Sequence, residues 1–307
     1  WLRTPVGAGL APCGPMMIIR GSEVLASGVL TPYELRTDFR RILPNIFAPK
    51  RAKLTLRDRT VAAVLWSRHQ AVVTGSAAAA LHGAKWVDEE TEIDLNHANN
   101  RAPTGIKTRK ETLFEDEITQ VQGLAVTTVE RTAFDLARRG PIVAAVQGLD
   151  SLARATNFKV EDVAALAARH PVAAGCARVP AILDLVDGGA QSPQETWWRM
   201  RIVAAGYPRP QTQVPVPRPD GYRWYFLDMG WPELMIACEY DGEQHRTDRA
   251  QYVGDVRRSE YIAVKWRRVR ILGGDRTTAV FRRLEAAGLR ATCEPPAILC
   301  QPKGVWE

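Results

Sequence analysis

No apolar run in this chain reaches the roughly 18 residues that a membrane-spanning helix needs, so a membrane is not an expected partner. Cysteine is sparse: Cys13, Cys176, Cys238, Cys293 and Cys300 are scattered and odd in number. That pattern excludes a disulfide framework and offers no zinc-ligand spacing. It makes a reducing cytoplasm the expected compartment. A secretory signal is missing as well, because no continuous apolar core follows Arg3. Residues 1–20 read as a non-native or disordered leader, with Met16 or Met17 a more natural start than Trp1. No internal repeat and no low-complexity tract interrupts the rest.

Lysine is scarce too, because 33 of the 41 basic residues are arginine. The guanidinium fork matches phosphate oxygens, so this bias suits nucleic acid; a GC-rich genome produces the same bias without that meaning. The net charge of +7 is less informative than its distribution. Between Arg257 and Arg290 ten basic residues face only Glu260, Asp275 and Glu285. Arg257, Arg258, Arg267 and Arg268 are the candidate phosphate contacts, against the plainer reading of solvated helix charge.

The 307 residues leave room for two or three domains. Thr31-Pro32-Tyr33-Glu34 has the form of a helix start, and Leu35, Phe39 and Ile42-Leu43 make its apolar stripe. A short strand or wing is expected from Ile42 to Pro49, so 21–70 reads as a winged-helix-like unit or as a small packing subdomain. Thr55 is expected to cap a helix running through His69. Gly75 to Gly83 reads as a small-residue helix, with His82 structural at its end. Strands are expected at 91–97, 104–109 and 121–127, and a helix opens at Thr127-Thr128. Residues 141–188 are Ala-rich and helical, broken near 156–160 and 170–177, so 71–190 forms one α+β and helical region. From 191 to 290 the order is helix, strand, strand, helix, strand, helix, an α/β layer unit. Ser192 caps its first helix and Asp275 its last, and 291–307 is an irregular tail.

The chemistry concentrates at Ile236-Ala237-Cys238-Glu239-Tyr240-Asp241-Gly242-Glu243-Gln244-His245. An apolar strand ends in carboxylates at i and i+2, which point to one face. Asp228 ends the preceding strand-like run. Clustered carboxylates repel unless paired or bound to a cation, and oxygen-only ligands favour a hard ion such as Mg²⁺ or Mn²⁺.

Residues 191–273 resemble the very-short-patch-repair-like branch of the restriction-endonuclease-like fold, the PD-(D/E)XK superfamily. The matching text is Ser192-Pro193-Gln194-Glu195, Gly206-Tyr207-Pro208-Arg209-Pro210, Leu227-Asp228 through Glu233, Glu239-Tyr240-Asp241-Gly242-Glu243-Gln244-His245 and Asp255-Val256-Arg257-Arg258. The resemblance implies a central mixed sheet flanked by helices and metal-dependent hydrolysis of DNA phosphodiesters. Asp228 would be the central ligand, Glu239 the second and Glu195 a third from the preceding helix. His245 would be a general base or hold the attacking water. Asp241 stands where the superfamily has a lysine; it would be a ligand, an orienter of His245 or neither. Residues 21–140 resemble the N-terminal part of AbiEi-like antitoxins, through Gly75-Ser76-Ala77-Ala78…Leu81-His82-Gly83 and Gly123 to Leu136.

Each candidate has a plainer explanation. Glu195 is the N3 residue of a capping box, Asp241-Gly242 is a turn dipeptide, Asp228 ends a strand and His245 lies in a loop. Trp197 and Trp198 read as packing residues. Three functions follow: a Mg²⁺-dependent DNA endonuclease, a non-catalytic DNA-binding regulator of antitoxin type, or a protein that docks a toxin or another neighbouring-gene product.

Overall fold

The computed structural model describes residues 18–241 and 257–300. Ile19–Arg20 form β1, inside the expected leader, and are followed by α1 (Gly21–Ala26) and α2 (Pro32–Asp38). The capping box is present: Thr31 Oγ1 accepts the Glu34 amide at 3.2 Å, and Glu34 Oε2 accepts the Thr31 amide at 2.8 Å. These bonds hold the Glu34 carboxyl below its usual range. The apolar stripe does not stay helical. Helix α2 stops at Asp38, and Phe39–Leu43 is a strand, β2, paired antiparallel with β3 (Ile46–Pro49). The connection is Pro44-Asn45, and Asn45 takes φ 63°, a value Asn tolerates well. Its amide side chain ties the turn to α1 through the Ser22 amide (3.0 Å) and hydroxyl (2.7 Å). The sheet order is β1-β3-β2.

Helix α3 (Leu56–Trp66) starts in a second capping box, Thr55 with Asp58. It packs on a five-stranded mixed sheet of β4 (Val72–Val73), β5 (Ile93–Asn96), β6 (Ile106–Arg109), β7 (Ile118–Val121) and β8 (Leu124–Thr127), in the order β6-β5-β4-β8-β7. Between β4 and β5, α4 (Gly75–Leu81) buries Ala77, Ala78 and Ala79. His82 Nε2 lies 2.8 Å from the Thr127 carbonyl, a structural tie. Helices α5 (Val129–Arg138), α6 (Ile142–Thr156), α7 (Val160–Arg169) and α8 (Val179–Leu183) follow around Phe134, Val146, Leu149, Leu152, Val163 and Ile182. Their breaks fall where the sequence placed them.

Helix α9 (Pro193–Ala204) leads to a four-stranded sheet: β9 (Gln211–Pro217), β10 (Trp224–Trp231), β11 (Ile236–Asp241) and β12 (Arg267–Leu272), in the order β12-β11-β10-β9. Only β11 and β12 run parallel within it. One face packs Met229, Trp231, Ile236, Cys238, Val269 and Ile271 against α9 and α11 (Thr277–Ala286). The other packs Val214, Val216, Leu227 and Ala237 against Ile262 of α10, helical over 257–263. Helix α9 serves two cores: Trp198 and Ile202 join the sheet, Met200 and Val203 the helical region.

One local expectation changes: Asp275 does not cap α11, whose N-cap residue is Arg276; it accepts the Leu272 amide and pairs with Arg283. Within the irregular 291–300 stretch, Leu299 is buried in the helical core. Among the described residues no helix is long and apolar enough to cross a membrane.

Candidate functional site

Two carboxylates, Glu195 and Glu239, act on a third, Asp228, from separate elements. Strands β10 and β11 pair antiparallel with Met229 opposite Cys238, so Asp228 and Glu239 stand next along their strands. The Tyr240 amide donates to Asp228 Oδ2 at 2.9 Å. Burial pushes the Asp228 carboxyl up to about 7; Glu195 and Glu239 push the same way, against the Tyr240 bond and Arg258. Glu195 stands in the first turn of α9, where Ser192 caps the helix by accepting the Glu195 amide at 3.2 Å. Its own oxygens accept the Gln191 amide (2.8 Å) and the Ser192 hydroxyl (2.9 Å). Burial raises its pKa. The capping role expected of Glu195 is therefore filled.

Glu239 is buried and held by two arginines. Arg258 Nη2 donates to Oε1 at 2.8 Å, and Arg268 Nη1 donates to Oε2 at 2.9 Å. Two of the expected phosphate contacts thus face a carboxylate of this chain. Arg267 Nη2 is on the Leu234 carbonyl at 2.8 Å, and Arg257 is exposed. Asp241 closes β11 opposite Leu272. His245 lies outside the described residues. A hard cation needs several converging oxygens. Here both oxygens of Glu195 and of Glu239 already accept hydrogen bonds. Among the described residues no group of three or more His, Cys, Asp or Glu is gathered to hold a metal ion.

A second ionic centre was not singled out from the sequence. Arg131, Asp135 and Arg138 fall at i, i+4 and i+7 on α5, all of them buried. Arg131 Nη1 donates to Glu117 Oε2 at 2.5 Å and Nε to Asp135 Oδ2 at 3.4 Å. Glu117 Oε1 lies 2.7 Å from His170 Nε2. Arg138 donates to Asp135 (Nη2–Oδ1 2.7 Å) and to Glu111, which also pairs with Arg131 and Arg139. Burial pushes the Glu111 carboxyl up, but Arg139, Arg138 and Arg131 outweigh it and hold the pKa below the usual value. The helical spacing of these charges was the available clue. Charges at that spacing normally read as a solvated face, which hid the site.

Asp150 on α6 joins this region to α9. It accepts Arg199 Nη2, the Thr196 hydroxyl and the Asp187 amide, each at 2.7 Å. Burial pushes it up to about 6 in spite of Arg199. Near the start of the described chain, Arg36, Arg40, Arg41, Lys50, Arg51 and Lys53 are exposed on α2, on the β2–β3 hairpin and just after it.

Residues 70–185 match the family described as the AbiEi antitoxin C-terminal domain. The matched segment holds the five-stranded sheet, α4 to α8 and the Arg131 network. The residues that carried the antitoxin resemblance, 75–83 and 123–136, lie within this segment; the match runs on to 185, and its counterpart is the C-terminal domain of such antitoxins where the N-terminal part was expected. The uncharacterized proteins MT2308 and Rv2248 of Mycobacterium tuberculosis, from strains CDC 1551 / Oshkosh and ATCC 25618 / H37Rv, are each 25% identical over 154 residues. That is 50% of this chain and 54% of each relative, so the chain spans about half the length of the curated relatives it matches.

Proposed function

We propose that this protein is a DNA-binding regulator of the antitoxin type, with a toxin encoded nearby as its protein partner. The match of 70–185 to the AbiEi antitoxin C-terminal domain carries the reading. The 21–53 segment supports it: two short helices and a hairpin carry six exposed arginines and lysines, which this reading takes as a winged-helix-like unit. In this reading the C-terminal α/β layer is a scaffold, in keeping with Glu239 being held by Arg258 and Arg268. Fluorescence anisotropy on duplex DNA from the protein's own promoter tests it. Specific binding that weakens steeply with salt is expected. Equal affinity for promoter and unrelated duplex would end the reading.

One observation favours a second reading, a Mg²⁺- or Mn²⁺-dependent DNA endonuclease. Glu195 and Glu239 raise the cost of charge on Asp228, which a bound cation would relieve. A divalent ion would polarise the scissile phosphate and activate water. Asp228 would be its first ligand, and Glu239 would join only on release from its arginines. Incubation of duplex, nicked, mismatched and single-stranded DNA with either metal tests it. Absence of cleavage, or cleavage unchanged in Asp228→Ala, removes it.

A further inference from the structure

A recess of about 850 Å³ opens between two sheets. Strand β2 is outermost in the three-stranded sheet, and β6 is outermost in the five-stranded one. Residues 40–43 of β2 line the recess, together with residues 104–106 at the start of β6. Neighbouring residues on a strand point to opposite faces, yet Arg40 and Arg41 both line it. The recess therefore runs along the outer edge of β2 and not over one face. That edge has no further strand in its sheet, and such an edge offers backbone amides and carbonyls for pairing.

The lining combines apolar side chains with excess positive charge. Leu43, Leu54, Ile93 and Ile106 contribute apolar surface, and Leu43 packs against the core that contains Ile93 and Ile106. Four cations, Arg40, Arg41, Lys53 and Arg59, stand against Glu89 and Glu90. Both carboxylates are engaged: Glu89 accepts the Leu56 amide at the start of α3, and Glu90 lies 4.0 Å from Arg59. Arg40 donates to the Ala52 carbonyl at 3.1 Å. Among the described residues no carboxylate pairs with Arg40, Arg41 or Lys53.

These features choose among occupants. A second copy pairing along β2 would set another Arg40-Arg41 against this one, and like charges facing across strands repel. Duplex DNA and simple phosphate satisfy the cations but have no apolar part for Leu43 and Leu54 to cover. An extended peptide supplies all three needs: amides for the edge, apolar side chains on one face and carboxylates on the other. We propose that the recess binds an extended segment of a partner protein, with acidic and apolar residues in alternation, added as a strand along β2. A bound segment occupies Arg40 and Arg41, so it excludes DNA from the hairpin. That exclusion rests on the DNA-binding reading; the peptide site does not.

The test is anisotropy of a labelled eight-residue peptide of alternating valine and glutamate, titrated with the full-length protein. Saturable binding is expected, at least tenfold weaker when glutamine or lysine replaces glutamate. Arg41→Glu and Lys53→Glu should each weaken it at least tenfold. Arg36→Glu makes the same charge change on α2, outside the recess, and should leave it within about twofold. All three side chains are exposed, and an unchanged melting temperature verifies the fold. Two peptides N-methylated at one or the other alternate set of amides should differ at least tenfold, because only one set faces β2. No binding at millimolar peptide overturns the proposal, as does equal binding of the two methylated peptides. Tighter binding of dodecanoate than of the peptide also overturns it, in favour of an acyl-chain site. The peptide should displace promoter duplex, and binding without displacement overturns the exclusion. Peptide binding without promoter preference upholds the site and ends the regulator reading. Promoter preference without peptide binding ends this inference alone.

Discussion

Asp228 holds its proton into the neutral range because burial, Glu195 and Glu239 all favour the uncharged acid. Its folded pKa of about 7 exceeds the ordinary 3.8. The stability it contributes is therefore complete below about pH 4 and is lost as pH rises through about 7. Asp228→Asn removes the charge and keeps an oxygen for the Tyr240 amide. Urea denaturation should show the variant more stable than wild type at pH 8, by about 2–4 kcal/mol, with the difference vanishing near pH 4. Mg²⁺ offers a further discrimination. If the endonuclease reading holds, the ion raises the wild-type midpoint at pH 8 and leaves Asp228→Asn unchanged. The pairing of Asp228 with Glu239 was legible from two neighbouring strand-like runs, although β10 continues past Asp228 to Trp231; Glu195 joined them only through the family resemblance. The partners of Glu239 were not, because Arg258 and Arg268 come from a later helix and strand, and pairing at that sequence distance leaves no local pattern.

Elements were legible where a side chain closes them. Thr31, Thr55, Thr128 and Ser192 each cap the helix that their sequence context announced. The boundary at Asp38–Phe39 was not legible, since Leu35, Phe39 and Ile42 keep helical spacing. Hairpin pairing with β3 and the Asn45 turn override that pattern. The hairpin so formed displays Arg40 and Arg41. If it contacts a DNA backbone, Arg40→Glu/Arg41→Glu should weaken promoter affinity and lower the slope of log affinity against log salt by about 2, one for each lost phosphate contact. An unchanged slope would put the contact surface elsewhere. On α5 the consequence is for stability. Arg131 is 2% exposed and neutralises Glu117 and Asp135. Arg131→Met strands those carboxylates and should cost about 3–5 kcal/mol in chemical denaturation. A loss under 1 kcal/mol would mean that Arg138, Arg139 and His170 suffice without it.

At the scale of the whole molecule α9 is the shared part. Its Trp198 and Ile202 belong to the four-stranded sheet's core, its Met200 and Val203 to the helical core, and Arg199 reaches Asp150 on α6. Gly188 and Gly189 come just before α9. In the fold those glycines are packed: an added Cβ at Gly189 would lie 2.0 Å from the Thr212 hydroxyl, and one at Gly188 3.2 Å from Ala153. The antitoxin-like region and the α/β layer therefore meet through filled contacts and one buried ion pair, and they should unfold together. Arg199→Met tests this coupling. It removes the cation that opposes burial at Asp150 and drives that carboxyl above its present value of about 6. Because the folded pKa is raised, the lost stability grows as pH rises through that value. The variant should lose about 3–5 kcal/mol at pH 8 and clearly less at pH 5, where a protonated Asp150 needs no partner. Hydrogen exchange at pH 8 would then show reduced protection in α6 and in β10–β11 alike. Reduced protection confined to α6 would mean that the two layers share a helix without sharing a folding unit.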